Sequence, residues 1–433
     1  MRRTVILLSL LLPFQTRAQW VTQSSGVNST LLSVDALDDN IVWVGGTGGT
    51  VLRTTNGGAV WIPATPPEPF AWITVVRAID HRTAFVVAKS SLHYRIWKTV
   101  TGGATWVLQH DKDSSWCEGI HAFGADTLVT IGGPSPFPGG PWDILWTTNS
   151  GDNWSTVDSS QVPAPGAIEW VSPWSTCSAG NSVWFTTSHV TMTTAPARAF
   201  RSTNRGMDWE AAELAFGSIF GSYVAFADEQ AGLIVLDASA PHGTVYRTTD
   251  GGASWADVGA LDGQAYTIAP VPGSHPVYFA GGQSGRISYT RNGGSTWIPS
   301  PTGRNIDLYW MDASQSRIWA VGYNGEILRG TIHLIVGVDE DGAGTPQDFR
   351  LEQNYPNPCN PATTIEYAIP VSVPVVLSVS DVLGRQLRVL VEEAQAPGRH
   401  TARFDAAGVS SGVYFYRLQA GGYHAVRRMV VVK

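Results

Sequence analysis

Charge is scarce in this sequence: Asp, Glu, Lys and Arg make up only 15% of its 433 residues. Long amphipathic helices, which need charged outer faces, are not expected from such a composition. The net charge is −7 and basic residues never gather into a stripe, which argues against nucleic acid as a partner. Cysteine is nearly absent. Cys117, Cys177 and Cys359 are an odd set that allows one disulfide at most, and all three read as structural. His110, His121, His189, His242 and His275 are scattered without His-x-His or His-Glu-x-x-His spacing, so no metal is expected. There is no strand-to-helix nucleophile elbow and no phosphate loop, and no cofactor is expected. No segment after the first 18 residues approaches 18 consecutive apolar residues, so no transmembrane segment is expected.

What is present in quantity is 46 glycines, 26 prolines and 18 tryptophans. That mixture suits many short strands joined by tight turns, in a chain too long for one ordinary core. Arg2 and Arg3 precede an apolar stretch from Val5 to Leu12, and Thr16-Arg17-Ala18 ends it with small residues at the −3 and −1 positions. Residues 1–18 therefore read as a secretory signal peptide cleaved before Gln19.

One nine-residue phrase recurs six times: RTTNGGAVW (Arg53–Trp61), KTVTGGATW (Lys98–Trp106), WTTNSGDNW (Trp146–Trp154), RSTNRGMDW (Arg201–Trp209), RTTDGGASW (Arg247–Trp255) and YTRNGGSTW (Tyr289–Trp297). The Trp-to-Trp gaps of 42 to 55 residues each suit one four-stranded blade. Asn56, Thr101, Asn149, Asn204, Asp250 and Asn292 sit where a side chain folds back onto turn amides. A glycine three residues before each tryptophan supplies the positive φ of the turn. Trp61, Trp106, Trp154, Trp209, Trp255 and Trp297 then start the next strand and fill the gap between blades.

The phrase resembles the Asp-box, Ser-x-Asp-x-Gly-x-Thr-Trp, of sialidase-type (BNR-repeat) and photosystem-assembly-factor-type propellers, over about residues 20 to 335. In those families the box is a fold element remote from any active site, and the resemblance implies the same structural role here. A seventh strand pair, RIWAVGYNGEILRG (Arg317–Gly330), lacks a box of its own, while Trp20-VTQSSG resembles the residues after the first and sixth boxes. The N-terminal strand would then complete the last blade and close the ring. The expectation is an all-β chain with a seven-bladed β-propeller over residues 19–336.

Residues 337–348 read as an acidic linker, in which Asp339, Asp341 and Gly344 hint at a calcium loop without completing one. Residues 349–433 alternate with period two and suit a small Ig-like β-sandwich. They resemble the type A sorting domain of type IX secretion through Asn354-Tyr355-Pro356-Asn357-Pro358, Asp381-VL-Gly384-Arg385, Ser411-Gly412-Val413-Tyr414 and the terminal run to Lys433. Where Cys359 stands the family usually has a large apolar residue, a departure expected to loosen local packing. The resemblance implies passage through the Sec machinery, recognition by the type IX machinery, and an extracellular or outer-membrane-surface destination.

For a binding or catalytic site the sequence offers less. Tyr94-Arg95-Ile96-Trp97 echoes the Arg-Ile-Pro of sialidases but lacks the proline and reads as a blade strand. Glu118, Glu169 and Asp307 lie near the starts of inner strands and could ring the channel, yet nothing pairs them as a glycosidase needs. Trp72, Trp116, Trp170, Trp174 and Trp310 stand outside the boxes near the same loops, where their faces could stack on sugar rings. The alternative, packing between blades, is the one favoured. The insertions Pro134–Asp143 and Thr187–Arg201 are further surface candidates. The leading expectation is a non-enzymatic module that binds an extracellular protein or glycan. A glycan hydrolase is the alternative, and an assembly factor, which would want a basic patch, ranks third.

Overall fold

The computed structural model describes residues 20–67, 72–189, 196–214, 221–236, 242–274, 276–332, 349–354, 357, 359 and 362–432. The signal-peptide, linker and calcium-loop readings lie outside these residues, as do Tyr355, Pro356, Pro358 and Lys433. The chain divides into two units at Val338/Asp339.

The first unit contains seven four-stranded antiparallel sheets. Six of them are runs of consecutive strands from the inside outward, as in blade one: Leu31–Ala36, Val42–Gly46, Val51–Thr54 and Ile62–Pro63. The second strands are buried on both faces and read as apolar runs, such as the fully buried AFVVA of Ala84–Ala88. The innermost strands of blades two to seven are Trp72–Ala78, Cys117–Ala122, Glu169–Ala179, Ser222–Phe226, Ala265–Pro270 and Leu308–Ala313. Each touches the next, and the seventh touches the first, so the unit is a closed seven-bladed β-propeller.

Closure follows the route that the sequence suggests. Blade seven takes its outermost strand from the other end of the chain: Trp20–Gln23 pairs antiparallel with Ile327–Gly330. A ring joined this way leaves no open inner seam. Trp20 also stands where the phrase tryptophans stand in other blades. Trp61 meets Trp319 of the preceding blade edge-on at 5.9 Å, Trp106 meets Trp43 at 6.2 Å, and Trp20 meets Phe279 at 6.4 Å.

The six recurring phrases form one hydrogen-bonded turn. In the first, the Gly58 N–H donates to Thr54 Oγ1 at 3.0 Å and the Val60 N–H to Asn56 Oδ1 at 2.9 Å. The same two bonds recur around Thr101, Asn149, Asn204, Asp250 and Asn292. The Ser or Thr two residues earlier, overlooked in the sequence, is thus half of the motif. Hydrogen bonds from Ser254 and Thr248 hold the Asp250 carboxyl well below its ordinary value. Gly103 at φ +92 shows why glycine recurs: a Cβ there would lie 2.4 Å from Ala64 Cβ in the neighbouring blade.

The second unit is a β-sandwich of a three-stranded sheet (Arg350–Leu351, Ala362–Ile369, Gly398–Asp405) and a four-stranded one (Gln386–Gln395, Val373–Ser380, Gly412–Ala420, Tyr423–Val431). Inward residues such as Ile365, Tyr367, Leu377, Phe404 and Leu418 share one core. Asp381 caps its hairpin by accepting from the Leu383 and Arg385 amides at 2.9 and 3.0 Å and from Arg385 Nε at 2.7 Å, with Gly384 at φ +78. Asn354 is buried and donates to Thr363 Oγ1 at 2.9 Å, and Asn357 accepts from the Val430 amide at 2.8 Å. Tyr414 donates to the Ser410 carbonyl at 2.8 Å, and the Gly412 strand pairs with the last strand. Cys359 is fully buried in this core. All three cysteines are free, and burial raises the thiol pKa of Cys117 and Cys177.

Candidate functional site

Every blade contributes its innermost strand to the central channel, so the site is built from strand positions rather than from one loop. In five blades that strand carries a one-residue bulge at the same register, at Leu32, Thr74, Glu118, Tyr266 and Tyr309. A bulge re-aims a side chain that regular pairing would bury between blades. Blade four departs further. Between Val171 and Thr176 it inserts Ser172 to Ser175, and Trp174 adopts φ +58, a left-handed conformation uncommon for a bulky residue. Its ring lies 6.3 Å from Tyr309 of blade seven, and Tyr309 stacks on Tyr266 at 5.9 Å.

Farther along the inner strands lies a polar girdle. The residue before the last of each strand is Asp35, Arg77, His121, Ser178, Ala225, Ala269 and Asp312 in blades one to seven, and all seven line a central cavity of about 150 Å³. The polar members join blade to blade. Asp312 accepts the Ala36 amide at 2.7 Å, and Asp35 accepts the Ala78 amide at 2.6 Å while pairing with Arg77 at 2.9 Å. Arg77 Nε donates to the Ile120 carbonyl at 3.1 Å, and His121 Nδ1 meets Ser178 Oγ at 3.2 Å. Burial raises Asp35 despite Arg77; burial and the charge of Asp35 push Asp312 up to about 7. Burial, and then the charge of Arg77, hold His121 well below the ordinary histidine value.

The carboxylates singled out in the sequence do not face one another. Glu118 is buried against Lys89, 2.7 Å away on blade two. Glu169 is gripped by Arg198, the Gly166 amide and Thr187. Burial pushes its pKa up, but these partners outweigh it and hold it low. Asp307 accepts the Ser284 amide at 2.8 Å. Asp35 and Asp312, which the sequence reading missed, are the pair with raised values.

The five candidate tryptophans separate. Trp116 is buried, edge-on to Phe137 at 5.3 Å and to Trp170 at 6.2 Å, so these two pack with each other and with the Pro134–Asp143 insertion. Trp174 and the half-buried Trp310 line the cavity. Trp72 stands apart, 43% exposed at the start of its strand. Among the described residues no cluster of three or more His, Cys, Asp or Glu could hold a metal ion, and no helix is long and apolar enough to cross a membrane.

A propeller followed by a β-sandwich defines the class, and comparison with known proteins adds the export route. Residues 353–433 match the family described as the secretion system C-terminal sorting domain. The protein is exported by the type IX system to the cell surface or the extracellular space, and its second unit is the part that the secretion machinery meets. No curated protein matches the chain. A solved structure of YCF48 bound to D1 peptide is similar at 16% identity and a TM-score of 0.55, covering 73% of this chain and 96% of that one. YCF48 from Cyanidioschyzon merolae is similar at 16% identity and 0.54, covering 72% and 98%. At such identity the likeness shows the propeller fold alone.

Proposed function

We propose that the propeller is a non-enzymatic Asp-box (BNR-type) binding module that engages an extracellular protein or glycan through the face where the inner strands begin. One observation carries this reading: carboxylates near that face each spend at least one oxygen on a neighbouring cation or amide and do not face one another, while aromatic side chains gather around the channel. A catalytic pair would need uncommitted carboxylates facing a common reacting atom. The YCF48 relative is described as bound to a peptide, so a ring of this kind has a precedent as a binding scaffold. In the same reading the first 18 residues direct Sec export and are removed, and the sorting domain is clipped off in the linker, near residues 338 to 350.

The test is to screen the exported chain against a glycan array and against surface proteins of its own cell. A specific partner whose binding weakens in Trp72→Ala or in Trp174→Phe supports the proposal; no partner in either screen defeats it. Glycan hydrolysis is kept as a second reading because of Asp312, which holds a proton near neutrality beside Asp35. Turnover of a glycoside that disappears in Asp312→Asn would promote it above the first.

A further inference from the structure

The channel wall contains polar atoms that the fold leaves unused. Thr74, Glu118 and His121 are buried, Trp174 is half-buried, and all four line the central cavity. Glu118 spends one carboxylate oxygen on Lys89, and His121 spends Nδ1 on Ser178. Their remaining atoms, Glu118 Oε2 and His121 Nε2, have no protein partner, and neither do Thr74 Oγ1 and Trp174 Nε1. Buried polar groups are ordinarily paired, so four such atoms around one cavity describe a place where a ligand or ordered water completes the bonding. Gly119 belongs to the same wall and is closely packed: a Cβ there would sit 2.3 Å from Thr176 Oγ1 and 3.0 Å from His121 Nε2, so a larger residue would displace the side chains that shape the cavity.

The chemistry of the wall narrows the ligand. Lys89 answers Glu118, and Arg77 answers Asp35 and donates to a backbone carbonyl, so neither cation is left for an anionic group. One acceptor (Glu118 Oε2), one donor (the Trp174 indole) and two groups able to do either (Thr74 and His121) suit neighbouring hydroxyls. The Trp174 ring, held in its bulge against Tyr309, offers an apolar face beside them. Trp174, which lines the cavity, is partly exposed, as are Tyr309 beside it and Tyr266 stacked on Tyr309.

We infer that the central cavity binds a single neutral, hydroxyl-rich ring, the uncharged terminal sugar of a glycan, held by Thr74, Glu118, His121 and Trp174. This rests on the binding-module reading and specifies its site and ligand class. The experiment is calorimetric titration of the full exported chain with the methyl glycosides of glucose, galactose, mannose and N-acetylglucosamine, with sialic acid as the anionic comparison. Thr74→Val keeps shape and removes one hydrogen-bonding atom, Trp174→Phe removes the indole N–H together with part of the apolar face, and melting curves check that both variants stay folded. Saturable binding of a neutral glycoside that weakens by about ten-fold in each variant is the expected result. Binding unchanged in both variants, a preference for sialic acid, or no neutral glycoside bound overturns the inference. If partners found in the screens above still bind through Trp72, the broader reading survives that failure; if nothing binds anywhere, both fall.

Discussion

The indole N–H of Trp20 donates to the hydroxyl of Ser300 at 2.8 Å, joining residues 280 apart in sequence and tying the first described strand to blade six. The same tryptophan starts the strand that completes blade seven, so one side chain serves both blade packing and ring closure. Trp20→Ala should cost about 3–5 kcal/mol, the usual range for deleting a buried tryptophan. Trp20→Phe should recover most of the packing but not the bond to Ser300. Urea denaturation of both variants checks this; a loss under about 1 kcal/mol for the alanine variant would mean that the ring does not depend on this closure.

The recurring turn makes a second prediction. Thr147 accepts the Gly151 amide at 3.1 Å and donates to Asn149 at 2.8 Å, and Asn149 accepts the Asn153 amide at 3.0 Å. Thr147→Val and Asn149→Ala should each cost about 1–2 kcal/mol. Because the two side chains bond to each other, the double variant should cost less than the sum, with a coupling of about 1 kcal/mol. Strict additivity would show that the turn holds its shape without this link.

The polar girdle sets a pH dependence. Asp312 is raised from 3.8 to about 7 in the folded protein, so over that interval it keeps a proton that the unfolded chain has lost. Stability from this group is therefore full at or below about pH 4, declines as the pH rises to about 7, and is level beyond, with a slope of at most about 1.4 kcal/mol per pH unit. Asp35 is shifted in the same direction and adds to the decline. Asp312→Asn keeps an acceptor for the Ala36 amide and removes the proton. The stability difference between wild type and variant should fall steadily from pH 4 to 7, as read by denaturant titration. A constant difference would refute the raised value.

Much of this was legible before any coordinates. The phrase tryptophans recur in kind as well as in spacing, so blade number and the role of Trp20 could be read from residue identity. The girdle was harder because its members share a position and not a chemistry. Five inner strands end in Val-Asp-Ala, Val-Arg-Ala, Ile-His-Ala, Cys-Ser-Ala and Met-Asp-Ala, and only stacking the repeats shows that Asp35, Arg77, His121 and Asp312 each meet the next blade. The bulge bearing Trp174 was hidden because Ser172-Pro173-Trp174-Ser175 reads as ordinary strand and loop, and an insertion is visible only against the partner strand. The Glu118–Lys89 pair joins two blades 29 residues apart, a distance at which sequence spacing carries no geometric information.

In the sorting unit, Tyr416 is the pivot. Its hydroxyl donates to the Glu352 carbonyl at 2.8 Å and accepts the Asn354 amide at 2.7 Å, pinning the segment that opens the sorting motif to the four-stranded sheet. Tyr416→Phe keeps the buried ring and strands both backbone groups, at a cost of about 1–3 kcal/mol. Exported protein should drop while propeller folding is unaffected. Normal export together with a normal melting curve for the sandwich would show that the pin is dispensable.

Export itself offers the broadest test, because the two units carry separate duties. The propeller closes on itself through Trp20–Gln23 and Ile327–Gly330, upstream of the sorting domain at 353–433. A chain ending at Gly337 therefore keeps every blade and loses only what the type IX machinery recognises. It should fold, resist proteolysis as the full protein does, and accumulate in the periplasm. Cell fractionation and surface proteolysis decide the matter. Surface display of the shortened chain would mean that the propeller carries an export signal of its own, and an unfolded periplasmic product would mean that the ring needs the second unit to form.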